Sequence, residues 1–169
     1  MAETLPTRKA DAPLTITAWT TSLLTGEFAT SALYDSSALM DALVGGVIEA
    51  DTVTGIMAAG ESFDLYVLGQ YSATVTDIGG AIDAALGADG EEAEDVSFVK
   101  ANMTLMKSIS LDSALPDTQQ GYHFGPIALA QFFGGVMPRA FMLVLHNNTG
   151  ASLGSGSNVN VEGITYTTS

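Results

Sequence analysis

Few residues in this chain have side chains and spacings suited to chemistry. There are two histidines, His123 and His146, and no cysteine. A Ser-His-Asp centre needs a nucleophile on a sharp elbow and an acid to orient the imidazole, and no Gly-x-Ser-x-Gly elbow occurs. Two histidines this far apart make a poor metal site without a third ligand, so each reads as a hydrogen-bonded strand residue. The segment Gly154-Ser155-Gly156 lies in a longer glycine-rich stretch, Phe132 to Gly156, that raises the question of a phosphate loop. Such a loop needs glycines leading into a long helix and a lysine to meet the charge. Here the glycines lead into strand-like segments, and no lysine follows Lys107. The run Asp83 to Asp95 carries six acids and no base. Carboxylates at this density invite calcium, but Gly90 follows a single Asp89, unlike a calcium loop, and a solvated acidic loop is the preferred reading. No catalytic, cofactor-binding or metal-binding residue is assigned.

The totals narrow the classes further. A chain of 169 residues with 47% hydrophobic and 14% charged residues is long enough for one domain with a substantial core. Absence of cysteine excludes a disulfide scaffold and thiolate zinc. Nineteen acids against five bases leave a net charge of −14, from scarcity of lysine and arginine more than from excess acid. Nucleic-acid binding needs clustered Lys and Arg, so that class is set aside. No apolar stretch approaches the ~20 residues of a membrane span, and residues 1–9 lack the apolar region of a secretory signal.

The elements are read from periodicity. Residues 1–13 carry Pro6, Pro13 and the adjacent bases Arg8 and Lys9, which suits an extended N-terminal arm. With Leu5, those two bases are the expected partner-binding residues. From Leu14 to Ala18 apolar and polar residues alternate, so residues 14–169 are expected to form a single domain whose first strand begins near Leu14. Removal of residues 1–12 is then expected to leave the fold intact. Weaker strands are expected over 28–33 and 37–44, with a bulge or bend at Gly45-Gly46. Clearer alternation runs over 63–71, 103–111 and 120–126, the last with Tyr122 and Phe124 on one face and His123 on the other. Phe141 to Leu145 is apolar throughout and belongs in the middle of a sheet, covered on both faces. Asn147-Asn148-Thr149-Gly150 reads as a hairpin turn, and a phase change at Glu162-Gly163 reads as a bulge in the final strand. Short helices are expected at 77–86 and at 127–133, the latter stopping at Gly134-Gly135. The whole describes an all-β, antiparallel β-sandwich, jelly-roll or immunoglobulin-like, of about eight strands.

Several stretches, "LTITAWTT" from Leu14, "SLLTGEFATSA" from Ser22, Asp41-Ala-Leu-Val-Gly-Gly46, His123-Phe-Gly-Pro126, Phe132-Phe-Gly-Gly-Val-Met-Pro138 and Asn147-Asn-Thr-Gly150, together resemble small virion structural proteins of tailed, particularly marine, bacteriophages. The resemblance covers most of the chain. It implies a sandwich-shaped, oligomeric, non-enzymatic protein, a capsid decoration or cement protein stabilising the head. Its partners would be the major capsid protein and neighbouring copies of itself, in a homotrimer on the capsid surface of the virion, with no nucleic acid, membrane or cofactor. The alternatives are a tail or adsorption-apparatus component, or a carbohydrate-binding sandwich in which Trp19, Tyr34, Tyr66 and Tyr71 stack on sugars.

Overall fold

The computed structural model describes residues 4–8, 12–13, 23–51, 60–70, 100–101, 103–111, 120–154 and 156–168. Those residues form two antiparallel sheets packed together as an all-β sandwich. The strands of the first sheet are β1 (Thr4–Arg8), β2 (Ala12–Pro13), β5 (Asp41–Asp51), β8 (Gln120–Ala128), β10 (Ser152–Leu153) and β11 (Asn158–Thr168). The second sheet holds β3 (Phe28–Thr30), β4 (Tyr34–Asp35), β6 (Ser62–Gln70), β7 (Thr104–Ser110) and β9 (Ala140–Asn148).

In the first sheet β5 is central. Its one edge pairs with β8, and its other edge pairs first with β11 and then, at Ala50 and Asp51, with β10. The outer edge of β11 takes β1 and β2. In the second sheet β9 is central, with β6 along one edge and β3 and β4 along the other; β7 closes the far side of β6.

Alternation sorts the side chains. Val44 and Ile48 from β5, Val159 and Val161 from β11, Phe63, Leu65 and Val67 from β6, and Phe141, Leu143 and Leu145 from β9 meet between the sheets, all buried. Burying each such side chain contributes roughly 1.5–3 kcal/mol relative to exposure. The opposite face of the second sheet carries another buried cluster, Phe28, Tyr66, Leu68, Met103 and Val144. Phe141 to Leu145 is therefore apolar on both faces because β9 has a core on each side, as its composition required.

Three local expectations change. β11 runs against β5 without a register break from Asn158 to Ile164, so no bulge lies at Glu162-Gly163. Gly163 is an inward position: a Cβ there would stand 2.8 Å from Leu39 Cδ2, so Leu39 occupies the space a side chain would need. The apparent phase change is a small residue on the core face followed by half-buried Ile164 on the outer face. Second, Asn147 to Gly150 is not a hairpin. β9 belongs to the second sheet and β10 to the first, so the chain turns a corner between layers. Third, a strand begins at Thr4, ten residues before Leu14, and the arm pairs along β11 at the edge of the first sheet.

The strands expected over 28–33 and 37–44 appear as the shorter β3 and the start of the longer β5, with 31–33 and 37–40 outside strands. The irregularity at Gly45-Gly46 is a register shift against β8 between Val44 and Gly46, within a continuous β5. The segment 127–133 gives one 3-10 turn over Ala130–Phe133, ended by Gly134 and Gly135 at φ 72° and 89°, conformations that favour glycine. Asp41 Oδ1 accepts from the backbone N–H of Ala130 at 2.8 Å, tying that turn to the start of β5. The alternating segment 14–18, the helix expected at 77–86 and the acidic run 83–95 lie outside the described residues.

Candidate functional site

The outer face of the first sheet holds a shallow hollow of about 500 Å³ over Gly45 and Gly46. Gly45 is an outward position in the middle of a three-strand surface, so the missing side chain leaves the depression. On one side β8 supplies His123 and Pro126, and on the other β11 supplies Asn160 and Glu162. Leu43 and Val47, flanking Gly45 on the same face of β5, give the hollow apolar walls. Gly125 takes a φ of 83°, and the Gly125–Pro126 peptide is cis. Gly46 faces inward, where a Cβ would fall 2.0 Å from the carbonyl oxygen of Asn158. The hollow thus brings an imidazole, an amide and a carboxylate around a floor of glycine backbone. These are groups for recognition by hydrogen bonding and contact.

A second polar group lies on the outer face of the second sheet. Asp64 on β6 accepts from Ser108 Oγ at 2.7 Å and Ser62 Oγ at 3.0 Å, both at Oδ1. Its Oδ2 stands 3.9 Å from His146 Nδ1 on β9, and the imidazole stacks on Phe28 at 4.3 Å between ring centroids. His146 is 4% exposed and its Nδ1 makes no hydrogen bond; at 3.9 Å it stands beyond hydrogen-bond distance of Asp64. The neighbouring imidazole first, then the Ser108 and Ser62 hydroxyls, hold the Asp64 carboxyl at about 2 against the opposing effect of burial. Burial, and then Asp64, push the Tyr66 phenol up. Serine, histidine and acid thus come together, but both hydroxyls donate to the acid and neither to the imidazole. A serine nucleophile requires the reverse connection.

The glycine-rich loop is filled by the protein's own carboxylate. Gly156 N–H donates to Glu49 Oε1 at 3.0 Å, and Gly154 N–H donates to the Glu49 backbone carbonyl at 2.6 Å. Ser157 Oγ accepts from Glu49 N–H at 2.9 Å. A Cβ at Gly156 would lie 2.2 Å from Glu49 Oε2, so glycine is needed for the carboxylate to approach. An anion does sit against this loop, but it is a side chain of β5.

The corner after β9 is built on Asn147, which is fully buried. Its Nδ2 donates to the carbonyls of Leu23 at 2.7 Å and Ala151 at 2.8 Å, and its Oδ1 accepts from Thr149 N–H and Oγ1. Thr25 Oγ1 donates to the Thr149 carbonyl, and Gly150 N–H donates to Glu61 Oε2 at 2.8 Å. Asn147 thereby satisfies a corner that would otherwise bury unpaired backbone groups.

Of the expected partner-binding residues, Leu5 lies opposite Thr167 and Arg8 opposite Ile164, on the edge strand; Lys9 is outside the described residues. His123 is exposed beside the hollow. Among the expected sugar-stacking aromatics, Tyr66 is 6% exposed within the second core cluster, and Tyr34 packs on Phe141 at 5.2 Å. Tyr66 is too buried to stack on a sugar, Tyr34 is half-buried against the core, and Trp19 and Tyr71 lie outside the described residues. Among the described residues no group of three His, Asp or Glu is placed to hold a metal. Sequence reasoning missed the Gly45 hollow; an outward glycine between Leu43 and Val47 was its one signal.

No protein-family model matches this chain, and no curated protein does. Among solved structures it is similar to a chain in "Structure of infectious bursal disease virus Gt strain", at 8% identity and a TM-score of 0.29, over 98% of this chain. This chain spans 37% of the length of that neighbour. The likeness to that viral structure is weak.

Proposed function

We propose that this chain is a non-enzymatic virion structural protein of a tailed bacteriophage, a capsid decoration or cement protein that stabilises the head. In this reading it associates as a closed homotrimer and binds the major capsid protein at the capsid surface. The observation that carries the reading is how the polar side chains are used. Asp64 takes two serine hydroxyls and faces a buried imidazole, Glu49 is bound by its own glycine loop, and Asn147 fills a corner between sheets. These groups lock turns and strand ends, which suits a rigid building block. The sequence resemblance and the net charge of −14 favour a place outside the particle, away from packaged nucleic acid.

The test is to quantify the chain by mass spectrometry in purified particles, relative to the major capsid protein. A ratio of the same order supports decoration of the head. A ratio of a few per cent or less would move it to the tail, and absence from the particle would end the virion reading.

A further inference from the structure

We propose that the edge strand covering β11 is exchanged between copies, so that the N-terminal arm of one molecule lies along β11 of the next. This deepens the reading that copies associate, and it holds whether they sit on head or tail.

Four observations lead there. First, β1 and β2 pair with β11 and with no other strand among the described residues, Thr4↔Thr168 through Arg8↔Ile164 and then Ala12↔Val161 and Pro13↔Asn160. The arm runs beside β11 for most of its length, with one extra arm residue between the two paired stretches. Pairing of this kind is a main-chain ladder, and the arm of an identical neighbour reproduces every bond of it.

Second, β1 and β2 end the sheet among the described residues, so moving them breaks pairing with β11 alone. Third, nine residues, 14–22, join Pro13 to Leu23. Leu23 is held fast: it is 1% exposed, and its carbonyl accepts from Asn147 Nδ2 at 2.7 Å and Leu153 N–H at 3.2 Å. Ten residue steps extend to roughly 33 Å at most, so length alone does not tie the arm to its own copy.

Fourth, charge selects the arm as the segment that approaches a neighbour. Residues 1–13 hold two acids and two bases, so the whole net charge of −14 sits on residues 14–169. Two such bodies repel, and the neutral arm with Arg8 and Lys9 does not share that repulsion. Pro6 and Pro13 lie in the two strands of this edge, and proline is a residue that sheet edges use against further pairing.

The absence of native cysteine makes the test clean. Full-length Thr7→Cys and Thr165→Cys variants, at partner positions in the register, are mixed before assembly, oxidised and run on a denaturing gel without reductant. Circular dichroism checks that each folds, and Thr4→Cys with Thr168→Cys serves as a second pair. Exchange predicts that the mixture converts a large share of the 17.4 kDa band into a dimer of twice that mass, absent when either variant is oxidised alone. It also predicts that the double variant gives a ladder of multiples. A double variant that closes only within single chains, with no mixed dimer, shows that each arm serves its own copy and overturns the proposal. No cross-link in either pair removes the arm from β11 and overturns it as well. Sedimentation of the unmodified chain separates this from the association reading: oligomers with only internal cross-links reject exchange alone, and monomers at every concentration reject both.

Discussion

Asp64 Oδ2 and His146 Nδ1 stand 3.9 Å apart on adjacent strands of one sheet, with the imidazole buried against Phe28. This places a charged acid beside a ring that has no hydrogen bond of its own at Nδ1. The acid is held at about 2, below its ordinary value of 3.8. A carboxyl depressed on folding stabilises the fold fully above its unfolded value and ceases to do so as pH falls through its folded value. The Asp64 contribution is therefore present above about pH 4 and disappears between about 3.8 and 2. Asp64→Asn should lower the Tm at pH 5 and lose less further stability than the parent between pH 4 and pH 2. Parallel curves for the two proteins across that window would show that Asp64 carries no such linkage.

The Glu49 carboxylate and the Gly156 N–H form a contact that leaves no room for a Cβ. Gly156→Ala should destabilise by about 0.5–1.5 kcal/mol, because the Glu49 carboxylate swings aside and loses its exposed hydrogen bond to the loop. Glu49→Ala removes both the clash and the hydrogen bond. If the carboxylate is what the loop wraps, Gly156→Ala should cost much less in the Glu49→Ala background, with a coupling of at least about 0.5 kcal/mol. Additive effects in chemical denaturation would show that the two positions act independently.

Much of the fold could be read locally, and the losses have a common cause. Alternation at Phe63, Leu65 and Val67, and the unbroken apolar run at Phe141 to Leu145, identified β6 and β9, because burial on one or both faces is written into each strand. The corner at Asn147 was misread because Asn-Asn-Thr-Gly signals a turn without saying which sheet the next strand joins. β1 was read as an extended arm and not as a strand of the sheet, because its partner β11 lies far along the chain. The groups around Glu49 and Asp64 share this property: Gly156 is 107 residues from Glu49, and Ser108 is 44 from Asp64. Only Ser62, two residues away on the same face, was within reach of strand periodicity. Polar sites assembled from distant strands leave little local trace, whereas core strands leave a clear one.

Leu143 is fully buried between the sheets, and Leu105 on β7 is 47% exposed. Leu143→Ala should cost roughly 2–5 kcal/mol, the transfer term plus the cavity left in a core that relaxes only in part. Leu105→Ala should stay within about 0.5 kcal/mol. Urea unfolding of both variants checks this, and equal midpoint shifts would mean that the core lies elsewhere.

The arm gives the prediction in which structure and local sequence reading part most sharply. If the sheet began near Leu14, removing residues 1–13 would leave it whole. With β1 and β2 paired along β11, the same deletion strips seven strand residues from an edge. It uncovers that edge of β11 at Asn160–Val161 and Ile164–Thr168. Water replaces the lost bonds, so the loss of stability should be modest. An uncovered strand edge also offers a template for pairing with other chains. The arm-deleted protein should therefore keep its β-sheet circular dichroism, unfold at lower urea than the full chain, and aggregate more readily at high concentration. Adding a synthetic peptide of residues 1–13 should reverse both changes, because the ladder on β11 accepts that sequence whichever molecule carries it. A deleted protein matching the full chain in midpoint and solubility, and unaffected by the peptide, would show that the arm adds nothing to the sheet.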